Sequence, residues 1–201
     1  MIAVPLELVL RNIIFDAEST MIIKYQHALK SDFTITLAQI IVFFAEVLFI
    51  EALSVFIYLF ADPLLGFKIS MVTFFGVFSI AYIKLLYQIP RPFWLFNDIK
   101  GLACNFDFSG PSDHAFLSSF FYSYVILIFS KYSEIHRPKL IKVLLALNIL
   151  YVILVGFSMN FLGNTFLFEG LVGAIYGSVY TVLCLSLDSE IHHLWEKTAF
   201  I

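Results

Sequence analysis

Residues 65–89 read LGFKISMVTFFGVFSIAYIKLLYQI, an apolar run of 25 residues with only two charged side chains, Lys68 and Lys84. As an α-helix, a run of this length measures about 37 Å, which is enough to cross the roughly 30 Å hydrocarbon core of a bilayer. Asp62-Pro63 precedes the run and Pro90 follows it, so the helix has defined ends. The run predicts a transmembrane helix, and four further apolar stretches predict the others: 37–60, 112–130, 140–158 and 166–187.

The composition of the whole chain supports the same fold class. Of 201 residues, 61% are hydrophobic, 13% are charged and 24 are Phe, whereas soluble domains have about 45–50% apolar and roughly 25% charged residues. A soluble fold of this length has too little interior to bury so much apolar surface. The net charge of −3 offers no basic surface for nucleic acid. These values predict an all-α integral membrane bundle of about five transmembrane helices and argue against soluble enzymes and nucleic-acid binders.

The chain divides into three predicted segments. Residues 1–36 begin with apolar side chains near helical spacing among charged ones, which predicts an amphipathic helix lying at the membrane interface. Residues 37–190 form the transmembrane bundle and residues 191–201 a C-terminal tail. Cys104 and Cys184 are too few for a disulfide framework or a zinc site, so we expect small buried side chains there. We expect neither a metal nor a cofactor.

Two carboxylates, Glu46 and Glu51, fall inside the first predicted span. A charged side chain within the membrane costs at least a few kcal/mol, so it normally faces other helices and finds a partner there. An offset of five residues places the two side chains about 140° apart on a helix, so they do not form one pair. We expect neutral or hydrogen-bonded glutamates that face the bundle or a neighbouring subunit, and the alternative is a proton or ion path.

The other polar residues of the bundle collect at one of its ends. Because successive spans alternate in direction, the end of the second span, the start of the third, the end of the fourth and the start of the fifth lie on one membrane side. A phosphate site forms readily there, since free N–H groups at a helix start and the planar fork of Arg bind phosphate oxygens. The residues concerned are Lys84, Arg91, Ser112, Asp113, His114, Ser158, Thr165 and Glu169.

The order and spacing of these residues resemble the three motifs of the type 2 phosphatidic acid phosphatase (PAP2) family over roughly residues 65–185. Those motifs are Lys-x6-Arg-Pro, Pro-Ser-Gly-His and Ser-Arg-x5-His-x3-Asp. The first motif matches in full and the second matches at three of its four residues. The resemblance implies a PAP2-like core in which Lys84, Arg91 and Ser112 bind phosphate and His114 protonates the leaving group.

The third motif departs from the family pattern. It starts at Ser158 in the same frame, but Met159 stands in place of Arg, Thr165 in place of the nucleophilic His and Glu169 in place of Asp. Losing the nucleophile removes the covalent route, because a Thr hydroxyl needs an adjacent base to attack phosphorus. The other histidines are not expected to replace it: His136 is too distant, His192 and His193 are on the wrong side, and His27 lies in the N-terminal segment with no motif around it.

Asp113 takes the place of the Gly in the second motif. If Gly110 is the N-cap and Pro111 the first helical residue, Asp113 falls at the third helical position, where a carboxylate stabilises the helix start. We expect Asp113 to approach both motif cations and to repel phosphate from them. The predicted result is a self-satisfied ion cluster. The alternative is a retained lipid head-group site formed by Lys84, Arg91, Ser112 and His114.

These observations predict a catalytically inactive PAP2-like protein that acts as a structural, lipid-contacting accessory subunit of a larger membrane complex. Its expected partners are membrane lipids and other membrane-protein subunits, in the mitochondrial inner membrane or an endomembrane. Two alternatives stay open: a divergent lipid phosphate phosphatase or phosphotransferase using Thr165 or water, and a lipid head-group binding module. Phosphatidate turnover lost in His114→Ala would favour the first. A direct contact between Asp113 and the motif cations would argue against the second.

Overall fold

The computed structural model describes residues 3–103, 107–132, 138–188 and 190. Cys104, His136, His192, His193 and the predicted tail 191–201 therefore lie outside the described residues. Within the described part, the chain forms eight helices: α1 (Ala3–Leu29), α2 (Asp32–Phe43), α3 (Val47–Phe60), α4 (Pro63–Tyr87), α5 (Pro92–Leu95), α6 (Asp113–Tyr132), α7 (Pro138–Phe161) and α8 (Leu167–Ser186).

The predicted membrane bundle is confirmed. Helices α4, α6, α7 and α8 are each long and apolar enough to cross a bilayer, and α2 with α3 forms a fifth span if the bent pair is counted as one. Helix α4 begins where the sequence predicts, because the Asp62 side chain accepts a hydrogen bond from Leu65 N (3.0 Å) as an N-cap. It ends at Gln88, whose backbone is left-handed with φ of 47°.

The prediction that residues 37–60 form one straight helix is wrong. This stretch is divided between α2 and α3, which meet at an angle of 47°. Two tyrosines satisfy carbonyl groups at the bend: Tyr151 Oη donates to Ile41 O (3.0 Å), and Tyr122 Oη donates to Phe44 O (2.7 Å). Because backbone polar groups in a membrane need partners inside the protein, these side chains of α6 and α7 stabilise the bend.

The two glutamates of this region therefore occupy different environments. The prediction that Glu46 lies inside a helix is wrong. Glu46 is the N-cap residue of α3, at the bend. Glu51 lies within α3, and its Oε2 accepts a hydrogen bond from Ser70 Oγ of α4 (2.8 Å). The expectation of a hydrogen-bonded carboxylate at Glu51 is thus confirmed.

The start of α6 differs from the prediction. Gly110 forms an antiparallel bridge with Ile89, and Ser109 N donates to Ile89 O (2.8 Å). Because this segment is extended, the helix begins only at Asp113. Pro111 is therefore not the first helical residue, Gly110 is not the N-cap, and Asp113 is at the first helical position rather than the third.

Helix α6 occupies the centre of the bundle and packs against α4, α7 and α8. Its buried side chains include Phe116, Phe120 and Tyr124. Helix α8 approaches it closely, since a Cβ atom at Gly173 would lie 2.3 Å from Ser112 O and one at Gly177 would lie 2.5 Å from Phe116 O. These two glycines fix α8 against the first turns of α6, where the second motif lies.

An ion cluster closes the opposite end of the bundle. The fully buried Asp188 accepts hydrogen bonds from Lys68 Nζ (2.5 Å), Lys131 Nζ (2.7 Å) and Tyr132 Oη (2.9 Å). Burial alone would raise the pKa of Asp188, but the hydrogen bonds from Lys131 and Lys68 hold that pKa below its usual value. This carboxylate ties the end of α8 to α4 and α6.

The predicted N-terminal helix is confirmed as α1, and it docks on the end of the bundle that carries the motifs. The ring of Phe15 stacks on that of Phe166, with centroids 4.1 Å apart. Gln26 Nε2 donates to Lys100 O (2.9 Å) and Phe161 O (3.0 Å). The position of α1 at a membrane interface stays a prediction.

Candidate functional site

The first motif places its two cations in the interior, where a carboxylate already binds both. Lys84, in the last turn of α4, is 6% exposed, and Arg91, the N-cap of α5, is 2% exposed. Lys84 Nζ lies 2.7 Å from Asp107 Oδ2, and Arg91 Nη2 pairs with Asp107 Oδ1. Arg91 Nε also donates to Asp107 O (2.7 Å), and its Nη1 donates to Asn164 O (3.1 Å). Asp107 thus bridges the two cations.

Asp107 is held as an anion by this arrangement. Burial alone would raise the pKa of its carboxyl group, but the hydrogen bond and charge of Lys84 and the charge of Arg91 hold that pKa below its usual value. The side chain is 54% exposed, so one side of the bridging carboxylate faces the surroundings. The sequence analysis did not identify Asp107.

Asp113 contacts one motif cation. Its Oδ2 lies 3.0 Å from Lys84 Nζ, so the predicted approach to Lys84 is confirmed. The predicted approach to Arg91 is wrong, because Asp107 and Asn164 take the guanidinium hydrogen bonds. Lys84 therefore lies between two carboxylates, which favours the predicted ion cluster over an open head-group site.

His114 is held at both ring nitrogens. Its Nδ1 lies 3.0 Å from Asp113 Oδ1, and its Nε2 lies 3.1 Å from Glu46 Oε1 at the bend between α2 and α3. The adjacent Ser112 is buried, and its Oγ accepts a hydrogen bond from Ala115 N (3.4 Å) at the start of α6. His114, the general acid that the resemblance implies, is therefore hydrogen-bonded to two carboxylates of this chain.

The third motif is buried beside these groups but carries no nucleophile–base pair within the described residues. The Thr165 hydroxyl is buried and has no hydrogen-bond partner there. Glu169 Oε2 accepts hydrogen bonds from Phe166 N (3.0 Å) and Ser109 Oγ, so it caps α8 instead of orienting residue 165. Ser158 and Met159 are buried in the last turns of α7, and His27 is exposed on α1.

Backbone contacts connect the second and third motifs directly. Ser112 N donates to Glu169 O (3.2 Å), and a Cβ atom at Gly110 would lie 2.9 Å from Glu169 Oε1. The predicted convergence of the motif residues at one end of the bundle is visible in these contacts and in the pairs formed by Lys84, Arg91 and His114.

The motif residues lie within the part of the chain that matches a known family. The sequence profile of the PAP2 superfamily matches residues 64–192, which is more than half of the 201-residue chain. The chain belongs to the PAP2 superfamily. The resemblance drawn from the motifs is therefore confirmed.

Two solved PAP2-type structures are similar in fold. The first transmembrane PAP2 type phosphatidylglycerolphosphate phosphatase from Bacillus subtilis has a TM-score of 0.68 and 21% identity, over 93% of this chain and 96% of that chain. LpxE from Aquifex aeolicus has a TM-score of 0.63 and 17% identity, over 83% of this chain and 93% of that chain. No curated protein matches the sequence.

Three further groups at this end of the PAP2 fold were missed by sequence reasoning. Glu18 of α1 accepts hydrogen bonds from Leu167 N (2.6 Å) and Phe168 N (3.1 Å) and so stabilises the start of α8. Ser109 and Asn164 bind motif residues from connecting segments. No periodicity marks such positions. Among the described residues, no group of three His, Cys, Asp or Glu side chains could hold a metal ion, and the expected absence of a metal stays a prediction.

Proposed function

We propose that this chain is a catalytically inactive member of the PAP2 superfamily, kept for its contacts in the membrane. The observation that carries the proposal is the environment of Thr165, which stands where the family has its nucleophilic His. Its hydroxyl has no hydrogen-bond partner among the described residues, and the carboxylate of the same motif, Glu169, is engaged in capping α8. A hydroxyl without a base is a weak nucleophile at neutral pH.

The state of the phosphate ligands supports the same proposal. Lys84 binds Asp107 and Asp113, and Arg91 binds Asp107. A substrate phosphate would have to displace a carboxylate of this chain before it reached either cation. Because these carboxylates compete with phosphate for the same donors and repel its charge, they weaken phosphate binding. Both substrate binding and nucleophilic attack are therefore impaired.

Phosphate release by the purified protein tests this proposal. We expect no release above background from phosphatidate or phosphatidylglycerolphosphate in detergent micelles, without added metal. The Bacillus subtilis phosphatase, assayed with phosphatidylglycerolphosphate, is the positive control for the conditions. Metal-independent release that disappears in His114→Ala would contradict inactivity and would favour a divergent phosphatase.

We further propose that the chain serves as an accessory subunit of a membrane complex, in the mitochondrial inner membrane or an endomembrane. A PAP2 fold without phosphatase activity can still offer a surface to lipids and to other subunits. Its helices expose large apolar side chains, among them Phe74, Phe78, Leu147 and Val182. Purification from native membranes in mild detergent, followed by identification of the chains that co-purify, tests this role. A protein that migrates as a monomer with no stoichiometric partner would contradict it.

A further inference from the structure

A cavity of about 230 Å³ lies beside the contact between His114 and Glu46. Its polar lining residues are Gln39, Glu46, His114 and Asn164, and Val42 and Leu162 are among its apolar ones. One water molecule needs only about 10–15 Å³ of such space, so the cavity has room for a small organic group. Gln39 is exposed, so the cavity is open to the surroundings of the protein.

Asn164 has a buried acceptor that lacks a donor. The residue is 1% exposed, and its Oδ1 has no hydrogen-bond partner within the described part of the chain. A buried carbonyl oxygen without a donor costs about 1–3 kcal/mol, so native proteins normally supply one. Asn164 lines the cavity, and a ligand bound there can provide the missing donor.

Two of the other three polar residues that line the cavity also offer acceptors, and the third, His114, is held between Asp113 and Glu46. Glu46 offers its carboxylate and is about half exposed, at 48%. The amide nitrogen of Gln39 donates to Leu102 O (3.3 Å), which leaves the side-chain oxygen available. A carboxylate and two amide oxygens therefore line one space, and these groups match a ligand rich in donors.

The charges around the cavity indicate whether the ligand is a cation or an anion. The fixed cations Lys84 and Arg91 are already paired with Asp107 and Asp113. Glu46 pairs with His114, and its carboxylate is still 48% exposed where it lines the cavity. An added anion would lie against this carboxylate, whereas an added cation would be attracted to it.

We propose that this cavity binds a primary ammonium group carried on an apolar stem. The three N–H donors of the ammonium would reach the Glu46 carboxylate, Asn164 Oδ1 and the Gln39 side-chain oxygen, and the stem would contact Val42 and Leu162. The proposal rests on the proposed function, because a working phosphate site would select the opposite charge. The ammonium can come from an amine-bearing lipid or from a soluble amine.

Calorimetric titration of the purified protein in nonionic detergent tests the proposal. The probes are hexylammonium, hexanol and hexyl phosphate, which share one stem and differ in head group. We expect hexylammonium to bind at least about tenfold more tightly than hexanol, since a hydrogen bond to a charged group contributes about 1.5–3 kcal/mol. Equal affinities for the amine and the alcohol, or tighter binding of hexyl phosphate, would overturn the proposal.

Three variants assign the binding to this cavity. Glu46→Gln should reduce the affinity for hexylammonium to that for hexanol, whereas Glu51→Gln, a matched change within α3 and outside the cavity, should leave it unchanged. Asn164→Leu should also weaken hexylammonium binding. It replaces Glu46→Gln as the test if the melting temperature of Glu46→Gln shows that this variant does not fold. Unchanged affinity in a folded Glu46→Gln or Asn164→Leu protein would refute the site.

Nanodiscs distinguish the source of the amine. In phosphatidylcholine nanodiscs, adding phosphatidylethanolamine should weaken hexylammonium binding if the ligand is a lipid, and should leave it unchanged if the ligand is a soluble amine. Phosphate release is measured on the same preparation. Amine binding with turnover would overturn only the proposed inactivity, and neither binding nor turnover would overturn only the ammonium site.

Discussion

Replacing Asp107 with Ala should convert the self-neutralised cluster into an anion site. Asp107 is the only residue among those described that bridges Lys84 and Arg91. After its side chain is removed, Lys84 keeps Asp113 at 3.0 Å, and Arg91 keeps a hydrogen bond to Asn164 O (3.1 Å). The fold therefore retains partial compensation of both charges, while an inorganic phosphate can take the place of the lost carboxylate.

The expected gain in phosphate affinity follows from the contacts of Asp107 that phosphate no longer has to displace. A hydrogen bond to a charged group contributes about 1.5–3 kcal/mol. Asp107 is 54% exposed, so solvent screens its interactions and the lower value, about 1.5 kcal/mol, applies. This corresponds to about a tenfold gain in phosphate affinity. Thermal unfolding in detergent at increasing phosphate concentration measures it, because a ligand that binds the native state raises the melting temperature.

Asp98→Ala is the matched control, since Asp98 is an exposed carboxylate of the same connection between α4 and α6. It should leave the response to phosphate as in the wild type. Asp107→Ala should melt lower than the wild type without phosphate and recover part of the difference when phosphate is added. If the folded Asp107→Ala protein responds to phosphate no more than Asp98→Ala does, the bridging carboxylate is not what excludes anions, and the argument from charge pairing is refuted.

Three further changes test contacts that hold the helices of the bundle together. Asp188→Asn removes the partner of two lysines, one of them buried, and should lower the free energy of unfolding in detergent by about 3 kcal/mol or more, measured by chemical denaturation. Gly173→Ala places a Cβ 2.3 Å from Ser112 O and should lower the melting temperature by several degrees, whereas Gly156→Ala, with no neighbour within 4 Å, should not lower it. Glu18→Ala removes the acceptor for two N–H groups of α8 and should cost about 1 kcal/mol by the same denaturation measurement. A wild-type melting curve for any of the destabilising variants would contradict the contact assigned to it.

The membrane spans could be predicted because hydropathy and helix-ending residues act locally. Helix α4 shows this: the run 65–89 is apolar throughout, and Asp62-Pro63 starts the helix by a side-chain cap that needs no distant partner. The convergence of the motifs followed from the alternating direction of the spans. Neither inference needs the distance between residues that are far apart in sequence.

The bend at Glu46 and the bridge at Asp107 could not be predicted, because both depend on tertiary contacts. No Gly or Pro interrupts residues 37–60, and the break is stabilised by Tyr122 and Tyr151, hydroxyls that come from other helices. Asp107 lies in a connection without periodicity, so its sequence gives no sign that it reaches two cations 16 and 23 residues away. The prediction that α6 begins at Pro111 is wrong for the same reason, because the bridge between Gly110 and Ile89 is a tertiary contact.

The departures from the second and third motifs act together with carboxylates outside the motifs. Four carboxylates lie around the motif residues, and each comes from a different part of the chain: Glu46 from the bend, Asp107 from a connection, Asp113 from α6 and Glu169 from α8. Reversion of Asp113 to the Gly of the family motif therefore leaves Asp107 paired with both cations and should not by itself restore an anion site. A His placed at Thr165 would also lack an orienting acid, since the longer side chain of Glu169 reaches back to Phe166 N and Ser109. The acidic residues that would oppose phosphate binding stabilise helix starts and buried cations, which fits the proposed inactivity.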